Sequence, residues 1–180
     1  MNQREVLSTD SVLPQRRVEY WNDAACDSLT QQVAEPLNPR TFSGRMIRAD
    51  VGNVRFVELS SDAAVVRHSR AHIARSNGAY FLVRFQLGNE SVCSQGGEDV
   101  HLRPGDFSLC DTARPYQLAF KRPVSILTLR APVPHPMTSR SHGLPARRGR
   151  RLRCCRRLEC APGSPGSRRS AAVHSSQHAT

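Results

Sequence analysis

Two rhythms of apolar residues run along this chain, and one gives way to the other near residue 40. Before that point Val18, Trp21, Ala25, Leu29 and Val33 recur every three or four positions, which puts them on one face of a helix over Pro14 to Val33. Pro14 suits the first helical turn, where its missing N–H costs nothing. The two prolines of Glu35-Pro36-Leu37-Asn38-Pro39 cannot continue a helix. The stripe reads as core contact, with a dimerisation face as the lesser alternative. After it the apolar residues gather in short runs rich in Val, Phe, Leu and Ile: 42–49, 53–60, 63–69, 80–87, 91–95, 98–102, 107–110, 116–120 and 124–129. Turn residues separate most of them, among them Gly52-Asn53, Asn77-Gly78, Gly88-Asn89, Arg114-Pro115 and Arg122-Pro123. Gly96-Gly97 predicts a two-residue hairpin, because both positions can take positive φ. Eight or nine short strands at this spacing predict a mainly β domain, an antiparallel sandwich or barrel.

Both rhythms stop after Arg130. Residues 131–180 contain no Phe, Trp, Tyr, Ile, Asp, Asn or Lys. They hold too little apolar surface to offset the entropy of ordering, so a disordered tail is expected after a folded body at 1–130. Charge divides at the same place. The body carries 16 Lys+Arg against 14 Asp+Glu, and the tail carries 10 Arg against the single acid Glu159. The basic character therefore belongs to the tail.

No apolar run approaches the roughly 20 residues of a membrane helix, and no signal-peptide core follows the N-terminal charges. A cytoplasmic protein without membrane contact is expected. Cys26, Cys93 and Cys110 are scattered through the body and read as buried thiols, and Cys154, Cys155 and Cys160 fall in the tail. Neither group has the paired spacing of a zinc site.

Three polar clusters carry candidate chemistry. Arg67, His68, Arg70, His72 and Arg75 crowd into a connection between strands. They could receive an anionic effector or a partner domain, since the guanidinium fork matches a carboxylate; a solvated connection is the plainer alternative. Pro104-Gly105-Asp106 reads as a structural turn, with Asp106 bonding the turn's own backbone. Asp111, Thr112 and Arg114 lie in a loop between strands, where they could fix a ligand at a barrel mouth or bond only to one another.

Several segments, in order, carry a resemblance: Leu7-Ser8-Thr9-Asp10-Ser11-Val12, Arg17-Val18-Glu19-Tyr20-Trp21, His72-Ile73-Ala74-Arg75-Ser76, Pro104-Gly105-Asp106-Phe107, and Asp111-Thr112 with Arg114-Pro115-Tyr116. Over residues 5–130 the chain resembles the N-terminal sensor domain of AraC/XylS-family transcription regulators. The resemblance implies a cupin-like double-stranded antiparallel β-barrel with a helix beside it. It also implies an unidentified small-molecule effector and self-association, as a homodimer; a chain without the DNA-binding half could instead pair with an intact regulator as a mixed dimer. Arg67, Arg70, His72, Arg75, Asp111, Thr112, Arg114 and Tyr116 are the candidate pocket or interface residues. No catalytic residue, metal or cofactor is expected. Family members carry two helix-turn-helix units after this domain, and no segment beyond Arg130 has their length or periodicity, so specific DNA binding is not expected of this chain. The body uses Arg over Lys at 15 to 1, as a GC-rich gene would, and a shifted reading frame would give such a tail.

Two other classes compete. A cupin-type metalloenzyme needs several His and a carboxylate converging in the barrel, whereas the body has only His68, His72 and His101 with no His-x-His pair, and Gln117 and Leu118 follow Tyr116. The tail arginines, Arg147-Arg148, Arg150-Arg151, Arg153 and Arg156-Arg157, could contact phosphates. Without aromatic residues to stack on bases, such binding would be non-specific.

Overall fold

The computed structural model describes residues 4–133; the tail expected to be disordered from residue 131 lies outside the described residues except at its start, where Ala131 and Pro132 extend the last strand by pairing with Phe81 and Tyr80. The chain opens with β1 (Glu5–Ser8), two 3₁₀ turns at Thr9–Ser11 and Pro14–Arg16, and helix α1 (Arg17–Ser28). There follow β2 (Val33–Pro36), β3 (Gly44–Val51), β4 (Val54–Ser61), β5 (Ala64–His68) and the short helix α2 (Arg70–Arg75). The rest is β6 (Tyr80–Gly88), β7 (Ser91–Gln95), β8 (Glu98–Leu102), β9 (Phe107–Asp111), β10 (Tyr116–Phe120) and β11 (Val124–Pro132). One sheet has the order β1-β3-β4-β11-β6-β9 and the other β2-β5-β10-β7-β8. Every described pairing is antiparallel. This is the cupin-like, mainly β architecture: two sheets around a common interior, with α1 packed against it.

Turn chemistry sets the registers. Gly96 and Gly97 both take positive φ and join β7 to β8 with Gln95 opposite Glu98, the two-residue hairpin expected for Gly-Gly. Pro104 and Gly105 occupy the centre of the turn before β9. Gly105 has φ 92, the Asp106 N–H donates to Arg103 O, and Asp106 Oδ2 accepts the Arg103 N–H at 2.9 Å.

The structure departs from the sequence reading at both helical stretches. α1 ends at Ser28 instead of reaching Val33. Asn22 at the middle of the helix takes the Ala34 N–H at 2.6 Å and donates to Ala34 O at 3.2 Å. That clamp starts β2, and Val33 pairs with Arg67 of β5. The stretch after His68, expected as a plain connection, forms α2, closed at its start by a Ser69–His72 capping box.

The core gathers Trp21, Phe42, Met46, Val57, Leu82 and Phe120. Trp21 meets Phe42 edge-on, with ring centroids 5.8 Å apart. Gly44 lets the helix approach β3: a Cβ there would lie 2.7 Å from the Trp21 ring. This contact fixes α1 over the interior.

Candidate functional site

Side chains alternate along a strand, so each strand has one set of residues facing the interior. On β6 that set is Leu82, Arg84 and Gln86, all buried. Arg84 is 3% exposed. Its register partners are Thr128 of β11 and Ser108 of β9. The three therefore form a row across the inner face, and Thr128 and Ser108 are almost fully enclosed.

This row is chemically unlike the layers beside it. Gln86 Nε2 donates to Gly88 O at 3.0 Å and to Asn89 O at 2.9 Å, and its Oε1 accepts from Ser91 Oγ at 2.8 Å. Gln95 Nε2 donates to Asp111 O at 2.8 Å, and its Oε1 accepts the Asp111 N–H at 3.1 Å. Both amides are satisfied. In the row between them, both terminal guanidinium nitrogens of Arg84, Ser108 Oγ and Thr128 Oγ1 lack a hydrogen-bond partner. Buried polar groups are nearly always paired, so four such atoms in one row demand an explanation.

The surroundings of Arg84 supply it only in part. The guanidinium carbon lies 4.8 Å from the centroid of the Tyr116 ring, a cation–π contact across to the second sheet. Burial disfavours the Arg84 charge, while Cys110, Tyr116 and Cys93 favour it, Tyr116 also through a polar side-chain contact with the guanidinium, and together they hold its pKa above the ordinary value. Burial also pushes the Tyr116 phenol up to about 12. At neutral pH Tyr116 therefore offers a π face and a neutral hydroxyl, not a counter-charge. Its OH donates to Gln32 Oε1 at 2.8 Å, just after α1. The Sγ atoms of Cys93 and Cys110 lie 3.2 Å apart on facing sheets.

Arg84 and Thr128 border an enclosed space of about 30 Å³, whose wall includes Trp21, Ala25, Leu29, Met46 and Phe120. That volume holds one or two water-sized groups. A larger groove of about 500 Å³ lies outside, beside His101, Arg103, Lys121 and Arg122. These four are exposed, so water already satisfies them, and we place the candidate site in the interior.

The residues singled out from sequence form a neighbouring cluster. His68 joins its two halves, with Nδ1 2.5 Å from Gln31 O and Nε2 2.9 Å from Thr112 O. Its ring stacks on Tyr116 at 4.8 Å. Thr112 is buried and its Oγ1 accepts the Tyr80 N–H at 2.7 Å. Asp111 accepts the Ala113 N–H at 2.8 Å. His72 caps α2 through Nδ1, which accepts the Ser69 N–H at 3.0 Å. Arg67 pairs with Glu35 at the surface, and Arg70, Arg75 and Arg114 are exposed. Of the eight, Tyr116 is the one that reaches the interior. Sequence reasoning missed Arg84, Ser108 and Thr128. The available signal was a charged residue inside an apolar strand, Phe81-Leu82-Val83-Arg84-Phe85.

Fold and interior together define a cupin-like β-barrel with a buried polar row on the inner face of one sheet. The sequence profile of the AraC-binding-like domain matches residues 21–178, and the chain belongs to that family. A curated relative from Bacillus sp. (strain OxB-1), described as an uncharacterized protein in the nit 5′ region, is 35% identical over 127 residues, covering 71% of this chain and 49% of the relative. The solved structure of the AraC-like transcriptional activator CuxR superposes with a TM-score of 0.62 at 18% identity, covering 72% of this chain and 47% of that one. The chain thus spans about half the length of these relatives. Among the described residues no helix is long and apolar enough to cross a membrane.

Proposed function

We propose that this chain is the effector-sensing part of an AraC-type transcription regulator and that the effector binds inside the barrel. The observation that carries the reading is the row of buried, unpartnered polar groups at Arg84, Ser108 and Thr128, in a chain of the AraC-binding-like family. An interior ligand would meet Gln32, which is bonded to Tyr116, and the α1 face that walls the cavity. Binding would then favour one placement of α1 over another, and α1 would report occupancy to whatever it touches. A binding role is favoured over metal-dependent catalysis because both ring nitrogens of His68, the buried histidine, already face backbone carbonyls.

The proposal includes a tail from a shifted reading frame and a chain that acts by pairing with an intact regulator. Resequencing the gene through the codons around Arg130 tests the first; helix-turn-helix codons in another frame are expected, and their absence would remove the idea. For sensing itself, the purified chain is screened by thermal shift against a library of neutral, cationic and anionic small molecules. Stabilisation by a restricted chemical class is expected. No stabilisation by any class would sink the sensing role.

A further inference from the structure

The interior row specifies more than the presence of a ligand. The terminal nitrogens of Arg84 present N–H groups in a planar fork, and the hydroxyls of Ser108 and Thr128 stand beside it in register. All three side chains are at least nine-tenths buried. The row is rich in donors and carries one fixed positive charge. Its complement is an acceptor-only group with one negative charge and two oxygens. A carboxylate fits, because two parallel N–H···O bonds match the guanidinium fork and its remaining lone pairs can take the hydroxyl protons. A doubly charged phosphate fits less well, since a single arginine would leave the second charge uncompensated away from water. Apart from Gln32, whose Oε1 accepts from Tyr116, the rest of the wall is apolar, with Trp21, Ala25, Leu29, Met46, Phe120 and Ile126 contributing to it.

We propose that the barrel interior binds a small monocarboxylate with an apolar body, its carboxylate held by Arg84 and Thr128, which border the cavity, with Ser108 next to Arg84 in the row, and its body directed at α1. This rests on the interior being the effector site. The space of about 30 Å³ takes the carboxylate group itself. Any longer body must displace side chains of Trp21, Ala25 or Leu29. Occupancy and movement of α1 are therefore linked by volume.

The test is a thermal-shift and calorimetric comparison on the full chain at constant ionic strength, using acetate, butanoate and hexanoate against the matching primary amides. The carboxylates raise the melting temperature by several degrees and the amides do not. Arg84→Met abolishes that response and, without ligand, melts higher than the parent, because an apolar side chain of similar length replaces a charge with unmet donors. The double variant Ser108→Ala/Thr128→Val keeps the fold and weakens the response, which guards against a failure of Arg84→Met to fold. Equal responses to carboxylates and amides would overturn the anion inference and leave an interior effector site standing. An undiminished carboxylate response in Arg84→Met would place the anion elsewhere and overturn it too. Silence toward both series would remove the monocarboxylate, whereas the sensing role falls only with silence across the mixed library.

Discussion

Polar side chains inside the barrel are of two kinds, and the difference sets what each substitution does. Gln86 and Gln95 close hydrogen bonds to part-buried backbone groups of the adjoining turns and strands. Replacing either with Leu leaves those groups orphaned, and a loss of about 1–3 kcal/mol is expected in urea unfolding. Thr128 Oγ1 bonds to nothing in the protein. Thr128→Val keeps the shape and removes an unmet hydroxyl, so stability without ligand should stay level or rise. A large loss on Thr128→Val would mean that the hydroxyl is structural and would weaken its assignment to ligand. Gly44 is a third case. Gly44→Ala puts a methyl 2.7 Å from the Trp21 ring, and the displacement should cost about 1–3 kcal/mol while moving the Trp21 fluorescence, since the ring that must shift is the chain's only tryptophan.

Elements show which parts of the chain were legible in sequence. The runs at 91–95, 98–102 and 116–120 became β7, β8 and β10 with those boundaries, because Gly-Gly and Pro-containing turns end them by local chemistry. β1 and β2 were not legible: each is four residues long and exists through pairing with β3 and β5. Facing was the harder matter. On β6 the more apolar set, Phe81, Val83, Phe85 and Leu87, looks like the buried one. The structure buries Leu82, Arg84 and Gln86 instead, since the barrel interior is partly a polar site. α2 supplies a pH prediction. Burial, with Arg75 and His68 adding to it, holds His72 below its ordinary 6.5. As pH falls through 6.5 the unfolded chain takes up this proton first, so stability declines from there down to the folded-state pKa and is flat below it. Protonation also removes the Nδ1 lone pair that accepts the Ser69 N–H. His72→Gln keeps a capping side chain at that position and should abolish this part of the slope, read as urea midpoints between about pH 5 and 7.5. An unchanged slope would assign the dependence to another group.

At the scale of the whole molecule the reversed facing of β6 has a consequence outside the barrel. Phe81, Val83 and Phe85 of β6, Phe107 and Leu109 of β9 and Leu127 of β11 alternate with the buried set and so share the outer face of one sheet. Phe85 and Phe107 pack together there, ring centroids 5.6 Å apart. All six are only half-buried, which makes this face the first to test as a contact surface. The body's near balance of 16 basic and 14 acidic residues gives little charge repulsion to oppose association. If a second copy of the chain covers this face, Phe85→Asp will convert a dimer to a monomer in sedimentation equilibrium. Phe85 lies on the opposite face of β6 from Arg84, so the same variant should keep the response to butanoate. A dimer that survives Phe85→Asp uses another surface, with the exposed face of α1 next in line. A chain that is monomeric at every concentration leaves this face for a partner of different sequence, and capture of an intact AraC-type regulator by the parent chain but not by Phe85→Asp would then identify the mixed dimer.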